Sequence, residues 1–138
     1  MSMPLLLDTC AVIWAGEPGP ESEATRNILR EARASGRRIY LSPITAWEMG
    51  NLVARGRLAL ALPTALWFSQ FISVPNVFLA DMPPSVLIAS TGLPGDVHGD
   101  PADRIIIATA REYGMRIVTR DRKILDYADK GHVMALAC

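Results

Sequence analysis

Short apolar runs separated by helix-length stretches constrain this chain more than any other feature. Residues 5–7, 39–41, 77–79, 117–118 and 133–136 read as strands. Ala11 to Trp14 begins a short helix that Gly16, Pro18 and Pro20 break. Ser22 reads as the N-cap of a helix over 23–34, stopped by Gly36. Ser42-Pro43 opens a helix to about residue 55, and 63–73 and 84–90 read as two more. Asp100-Pro101 starts a strongly apolar helix to Tyr113, ended by Gly114, and a short helix follows over 122–128. Strands that alternate with helices imply a parallel sheet covered on both faces, so the expected fold class is α/β.

The 138 residues fit one domain, and half of them are hydrophobic, enough for a core without disulfides or a structural metal. Cys10 and Cys138 form no spaced framework, and a reduced cytoplasmic chain is the expectation. No apolar run approaches the roughly 20 residues of a membrane span, and the first residues lack a basic n-region, so neither membrane nor signal peptide is expected. Formal net charge is zero. Charge therefore neither points to nucleic acid nor excludes it.

The informative residues are acids. Asp8 ends the first apolar run, and Asp121 follows Val118-Thr119-Arg120. Each could simply cap a helix. In parallel sheets, however, ligands bind beyond the carboxyl ends of the strands, where both would face one crevice. Glu48 shares a helical stripe with Ile44, Trp47, Asn51 and Leu52, so it needs either an ion-pair partner or a polar pocket. The segment 98–104 is the densest polar cluster. Asp100 there reads as a cap before Pro101, Asp103 favours the helix dipole, and His98 reads as a loop residue and not a ligand. Both acids precede Ile105-Ile106-Ile107-Ala108, a helix that must be central. Carboxylates that converge raise one another's pKa unless a cation is present. Hard oxygen donors without His or Cys companions suit Mg²⁺ or Mn²⁺, and such an ion activates water for phosphodiester hydrolysis.

Four segments, in this order and spacing, resemble PIN-domain ribonucleases, and most closely the VapC-type toxins of bacterial toxin–antitoxin pairs. They are Leu5-Leu6-Leu7-Asp8-Thr9, Ser42-Pro43-Ile44-Thr45-Ala46-Trp47-Glu48, Asp100 through Ala110, and Ile117-Val118-Thr119-Arg120-Asp121. The resemblance covers almost the full length and implies a three-layer PIN-like fold in a single domain, 1–138. It places the family's catalytic and metal-binding acids at Asp8, Glu48, Asp103 and Asp121. Thr9, Asp100, Arg104 and Thr119 would support them: Asp100 as helper or cap, Arg104 paired with a neighbouring carboxylate, Thr119 as the hydroxyl behind the last acid. Ala102 departs from the pattern, because a bulkier aromatic is frequent there. Further implications are Mg²⁺- or Mn²⁺-dependent endoribonuclease activity, a homodimer, and a cognate VapB-like antitoxin whose C-terminal segment lies along the toxin. Leu58, Leu60, Trp67, Phe68 and Phe71 are candidates for that groove, with plain core or dimer packing as the alternative. Arg26, Arg30, Arg33, Arg37 and Arg38 could line an RNA path or simply a solvated face.

Two other readings compete. A non-catalytic RNA-binding or scaffold PIN domain would lack one or more acids, and none is missing here. A receiver-type signalling domain needs paired acids at the first strand and a lysine beside the pocket late in the chain. Asp8 is followed by Thr9-Cys10, and no lysine stands after a late strand.

Overall fold

The computed structural model describes residues 3–17, 19–97 and 99–138, so Pro18 and His98 lie outside the described residues. Strands β1 (Leu5–Leu7), β2 (Ile39–Leu41), β3 (Val77–Leu79), β4 (Arg116–Thr119) and β5 (Met134–Ala137) form one parallel sheet in the order β3-β2-β1-β4-β5. Helices α1 (Thr9–Gly16), α2 (Glu23–Ala34), α3 (Ile44–Ala54), α4 (Thr64–Phe71), α5 (Pro84–Ala89), α6 (Pro101–Tyr113) and α7 (Arg122–Asp129) connect them. The alternation expected from sequence is therefore the observed α/β fold.

β1 is the central strand, and all three of its leucines are fully buried. Side chains of successive strand residues point to opposite faces. Leu5 and Leu7 accordingly enter one core with Val12, Leu29, Met49 and Trp67. Leu6 enters the other, with Ile106, Ile107, Ile117 and Ile124. Burying a leucine completely contributes about 1.5–3 kcal/mol, so this tripeptide pins the middle layer from both sides.

The strand order places the chemistry. From β1 the chain moves outward through β2 to β3, then returns to lay β4 on the other flank of β1. The crevice between the carboxyl ends of β1 and β4 is thus the switch point of the sheet, where open parallel folds bind ligands.

Local signals set the helix ends. Gly114 closes α6 in the left-handed region at φ 65°, a conformation that favours glycine. Ser42 accepts from the N–H of Ile44 at 3.1 Å and starts α3. Ser22 departs from its expected role, because its hydroxyl bonds back to Gly19 across a 3-10 turn at Pro20–Ser22 instead of capping α2.

One expected packing role changes, and one of the readings left open is realised. On α3 the fully buried side chains are Thr45 and Met49, whereas Trp47 is 60% exposed. At 3.6 residues per turn, Trp47 points about 160° away from Met49, while Glu48 and Leu52 fall on one flank. That flank faces the crevice. On α4, Trp67 is a core residue and not an open groove residue: it is buried, stacks on Phe71 and donates its indole N–H to Glu17 at 3.0 Å. Leu58, Leu60, Phe68 and Phe71 pack half-buried against the same core. Among the described residues no helix is long and apolar enough to cross a membrane.

Candidate active site

Asp8 follows β1 directly and is almost fully buried. One carboxylate oxygen, Oδ1, accepts from the N–H of Ala11 at 2.8 Å and caps α1. The other, Oδ2, accepts the hydroxyl proton of Thr119 at the end of β4. The Thr119 oxygen in turn accepts the backbone N–H of Asp121 at 2.9 Å. One buried threonine therefore joins the acids of two neighbouring strands. Asp121 caps α7 through Oδ1, which accepts from Lys123 N–H at 2.7 Å and Ile124 N–H at 3.4 Å. The capping reading and the crevice reading are both realised, since each carboxylate keeps lone pairs beyond those its cap consumes.

Glu48 comes in from α3. Its Oε1 accepts the hydroxyl proton of Thr9, and the same hydroxyl lies 3.1 Å from that of Thr45. A threonine beside the first acid thus aims the second. Asp103 stands in the first turn of α6, half-buried, with Asp100 as the helix cap accepting its N–H at 3.1 Å. Arg104 is directed to backbone carbonyls, of Ser90 at 2.9 Å and Val97 at 3.5 Å, and so ties the start of α6 to the segment before it. Ala102 is buried beneath this turn.

Asp8, Glu48, Asp103 and Asp121 line one cavity of about 440 Å³, together with Thr9, Cys10, Trp14, Leu52 and Arg120. Three helix N-termini deliver acids to it, Asp8 capping α1, Asp103 in the first turn of α6 and Asp121 capping α7. The positive ends of those dipoles partly offset the repulsion. It is not cancelled. Burial, with the charges of Asp103 and Asp121, raises the Asp8 carboxyl from 3.8 to about 6 despite its hydrogen bonds from Thr119 and Ala11. Glu48 is raised by burial and by Asp103, Asp100 and Asp8, against the opposing bond from Thr9. The Cys10 thiol is pushed up to about 12 by desolvation and by the field of the acids, so it stays protonated and is no nucleophile at neutral pH.

This donor set fits a hard divalent cation. It offers carboxylate oxygens, no imidazole and no thiolate, and a net negative field that a cation would relieve. Among the described residues no three His, Cys, Asp or Glu side chains stand close enough to encage an ion. An open arrangement suits Mg²⁺, which keeps several waters and takes one or two carboxylates directly.

The sequence reading missed Arg120 and Trp14, whose side chains stack on this cavity's wall. Their adjacency to Asp121 and to α1 was the available signal. The arginines expected along an RNA path separate. Arg26, Arg30 and Arg33 line another hollow with Phe71 and Val74. Arg37 bonds the Met3 carbonyl, and Arg38 lies over the Phe78 ring.

Fold and site together define a parallel α/β protein with a carboxylate-lined cavity at the switch point of its sheet. Residues 5–130 match the PIN domain family, and the chain belongs to it. Ribonuclease VapC22 of Mycobacterium tuberculosis is 35% identical over 121 residues, 87% of this chain and 88% of that protein. Among solved structures, VapBC2 from Rickettsia felis, bound to a DNA fragment from their promoter, superposes with a TM-score of 0.68 at 18% identity, over 98% of both chains. A toxin–antitoxin complex from Klebsiella pneumoniae matches with a TM-score of 0.57 at 18% identity, over 86% of this chain and 88% of that one. These structural likenesses bear out the fold.

Proposed function

We propose that this chain is a divalent-metal-dependent endoribonuclease, the toxin of a cytoplasmic toxin–antitoxin pair, formed as a single domain over 1–138. The observation that carries the reading is the meeting of Asp8, Glu48, Asp103 and Asp121 around one cavity at the switch point. The similarity to a protein named as a ribonuclease supports the substrate class. Carboxylates alone would repel a phosphodiester, so the acids serve the reaction as cation holders. Asp8, Glu48, Asp103 and Asp121 would hold Mg²⁺ or Mn²⁺, which would supply Lewis acidity toward the phosphate and make a bound water more acidic.

The chain's own residues do the positioning. Thr119 fixes the free face of Asp8, and Thr9 fixes Glu48, so neither acid must search rotamers when the ion arrives. Asp100 orders the turn that carries Asp103. The apolar wall of Trp14 and Leu52 limits water around the acids.

The antitoxin partner is supported by the likeness to toxin–antitoxin complexes. A homodimer is supported by large apolar side chains left in solvent, Trp47 at 60% and Ile88 at 71% exposure. Purified protein with Mg²⁺ should cut single-stranded RNA internally. It should run in light scattering as two copies, and lose cleavage when bound by the small protein encoded beside it. A correctly folded preparation inert toward RNA in both Mg²⁺ and Mn²⁺ would overturn the enzyme reading.

Thr119→Val tests the positioning. The variant removes a bond that lowers the Asp8 pKa, so the acidic limb of the pH–rate profile should move to higher pH. Activity at neutral pH should fall by about 10–100-fold, the usual effect of losing a residue that orients a metal ligand. A profile with an unmoved limb would remove Thr119 from the mechanism.

A further inference from the structure

We propose that Arg120 is the residue by which the acid cavity takes hold of its RNA, through a backbone phosphate beside the scissile one, and that Trp14 holds Arg120 in place. The inference rests on the ribonuclease reading above. A cup of carboxylates is a poor place to bring a polyanion, and a local cation is needed to offset it. Among the described residues that line the cavity, Arg120 is the sole Lys or Arg. It precedes Asp121 in the chain and follows Thr119, which bonds Asp8.

Its position is fixed from several directions. Nε–H donates to the backbone oxygen of Cys138 at 3.0 Å, and Nη2 donates to the Glu21 carbonyl at 2.7 Å. The guanidinium lies over the Trp14 ring, 4.0 Å from its centroid. No hydrogen bond to a described residue occupies Nη1, and Arg120 is exposed while Trp14 is half-buried. The side chain is thus pinned by two backbone oxygens and an aromatic face, with hydrogen-bonding capacity to spare at Nη1. That is a pre-organised phosphate ligand, because the fork loses little freedom on binding. A purely structural tie between Glu21 and Cys138 would not need a charge at the mouth of the acid cavity.

The test uses full-length protein, a 5′-fluorescein single-stranded RNA, Mg²⁺, and a salt series. Arg120→Ala should raise KM about ten-fold, as expected for losing a hydrogen bond to a charged group, with kcat changed less than about two-fold. The salt dependence of log kcat/KM should flatten by roughly 0.7, the contribution of one phosphate contact on a single strand. Arg120→Lys should keep the salt slope and recover part of the KM. Trp14→Ala should raise KM less than Arg120→Ala does, and the double variant should be no worse than Arg120→Ala alone. Trp14→Phe should restore most of the loss. A structural role would move the unfolding midpoint but not the salt slope.

The same RNA is titrated into Asp8→Asn protein with and without Arg120→Ala, read by fluorescence anisotropy. If wild type never cleaves but this affinity and its salt slope depend on Arg120, the ribonuclease reading fails and the phosphate contact stands. If wild type cleaves while KM, affinity and slope ignore Arg120, the contact is refuted and the enzyme survives. Loss confined to kcat would also refute it.

Discussion

Asp8→Asn is expected to lower RNA cleavage by well over 100-fold while raising the unfolding midpoint of the metal-free protein at neutral pH. The two effects have one origin. Asp8 is buried among other acids, and its carboxyl is raised from 3.8 to about 6. A group whose folded pKa lies above its unfolded value contributes stability below the unfolded value, and that contribution is lost as pH rises through the folded one. At pH 7 to 8 the ionised Asp8 therefore weighs against folding. The displacement from 3.8 to about 6 corresponds to about 3 kcal/mol as an upper bound. Asparagine removes the charge but keeps the shape. Its oxygen still caps α1 at the Ala11 N–H, and its amide faces the Thr119 hydroxyl, which retains a lone pair to accept it. With each kcal/mol worth about 3 °C for a chain of this size, a rise of several degrees is expected in EDTA. Activity moves the other way, because even residues that merely orient metal ligands are worth about 10–100-fold, and Asp8 is proposed as a ligand itself. Cleavage by the variant at the wild-type rate would sink the assignment. A lowered midpoint would show that the site carries no electrostatic strain.

Much of this was legible in the residues. The continuous apolar run Leu5–Leu7, buried on both faces, and the apolar α6 pointed to a covered parallel sheet, and the Gly114 and Asp100-Pro101 signals marked the ends of α6. The acids were legible for a related reason. A carboxylate at the end of a buried strand or on the flank of a core helix has few tolerable fates, and facing a shared crevice is one of them. Whether a given aspartate capped a helix or served the crevice was a false choice, because Asp8 and Asp121 do both.

What stayed hidden depended on rotation and on distant partners. The stripe reading placed Trp47 with Glu48, yet α3 buries Thr45 and Met49, which turns Trp47 into solvent. Groove and core were both open readings of Trp67, because its indole partner, Glu17, lies fifty positions away. Arg104 also bonds the carbonyls of Ser90 and Val97, partners that no local pattern announces. Arg120 entered only as part of the last motif, since its place beside Asp121 does not announce that its charge will rest on Trp14, on the wall of the acid cavity. Periodicity fixes which residues share an element; side-chain partners follow only once the elements meet.

Removing divalent ions should abolish cleavage altogether, and restoring them should leave a pH signature on stability that names the binding site. In EDTA the ionised acids repel, and the fold loses stability as pH rises through about 6. A bound cation reverses the balance at Asp8, favouring the ionised form and competing with its proton. The gain in unfolding midpoint on adding Mg²⁺ should therefore be small at pH 5, where Asp8 is protonated, and grow through pH 6 toward pH 8. An ion present at 100 times its dissociation constant stabilises by about 2.7 kcal/mol, which is a readily measured rise of several degrees. Differential scanning fluorimetry in Mg²⁺ and in EDTA, at pH 5, 6, 7 and 8, gives two curves that converge at the acidic end. Asp8→Asn and Glu48→Gln should each shrink the separation at pH 8, since each deletes a charge from the cavity the ion neutralises. Curves equally spaced at every pH, or a separation that survives both substitutions, would place the ion elsewhere on the protein and leave the acid cavity without its metal.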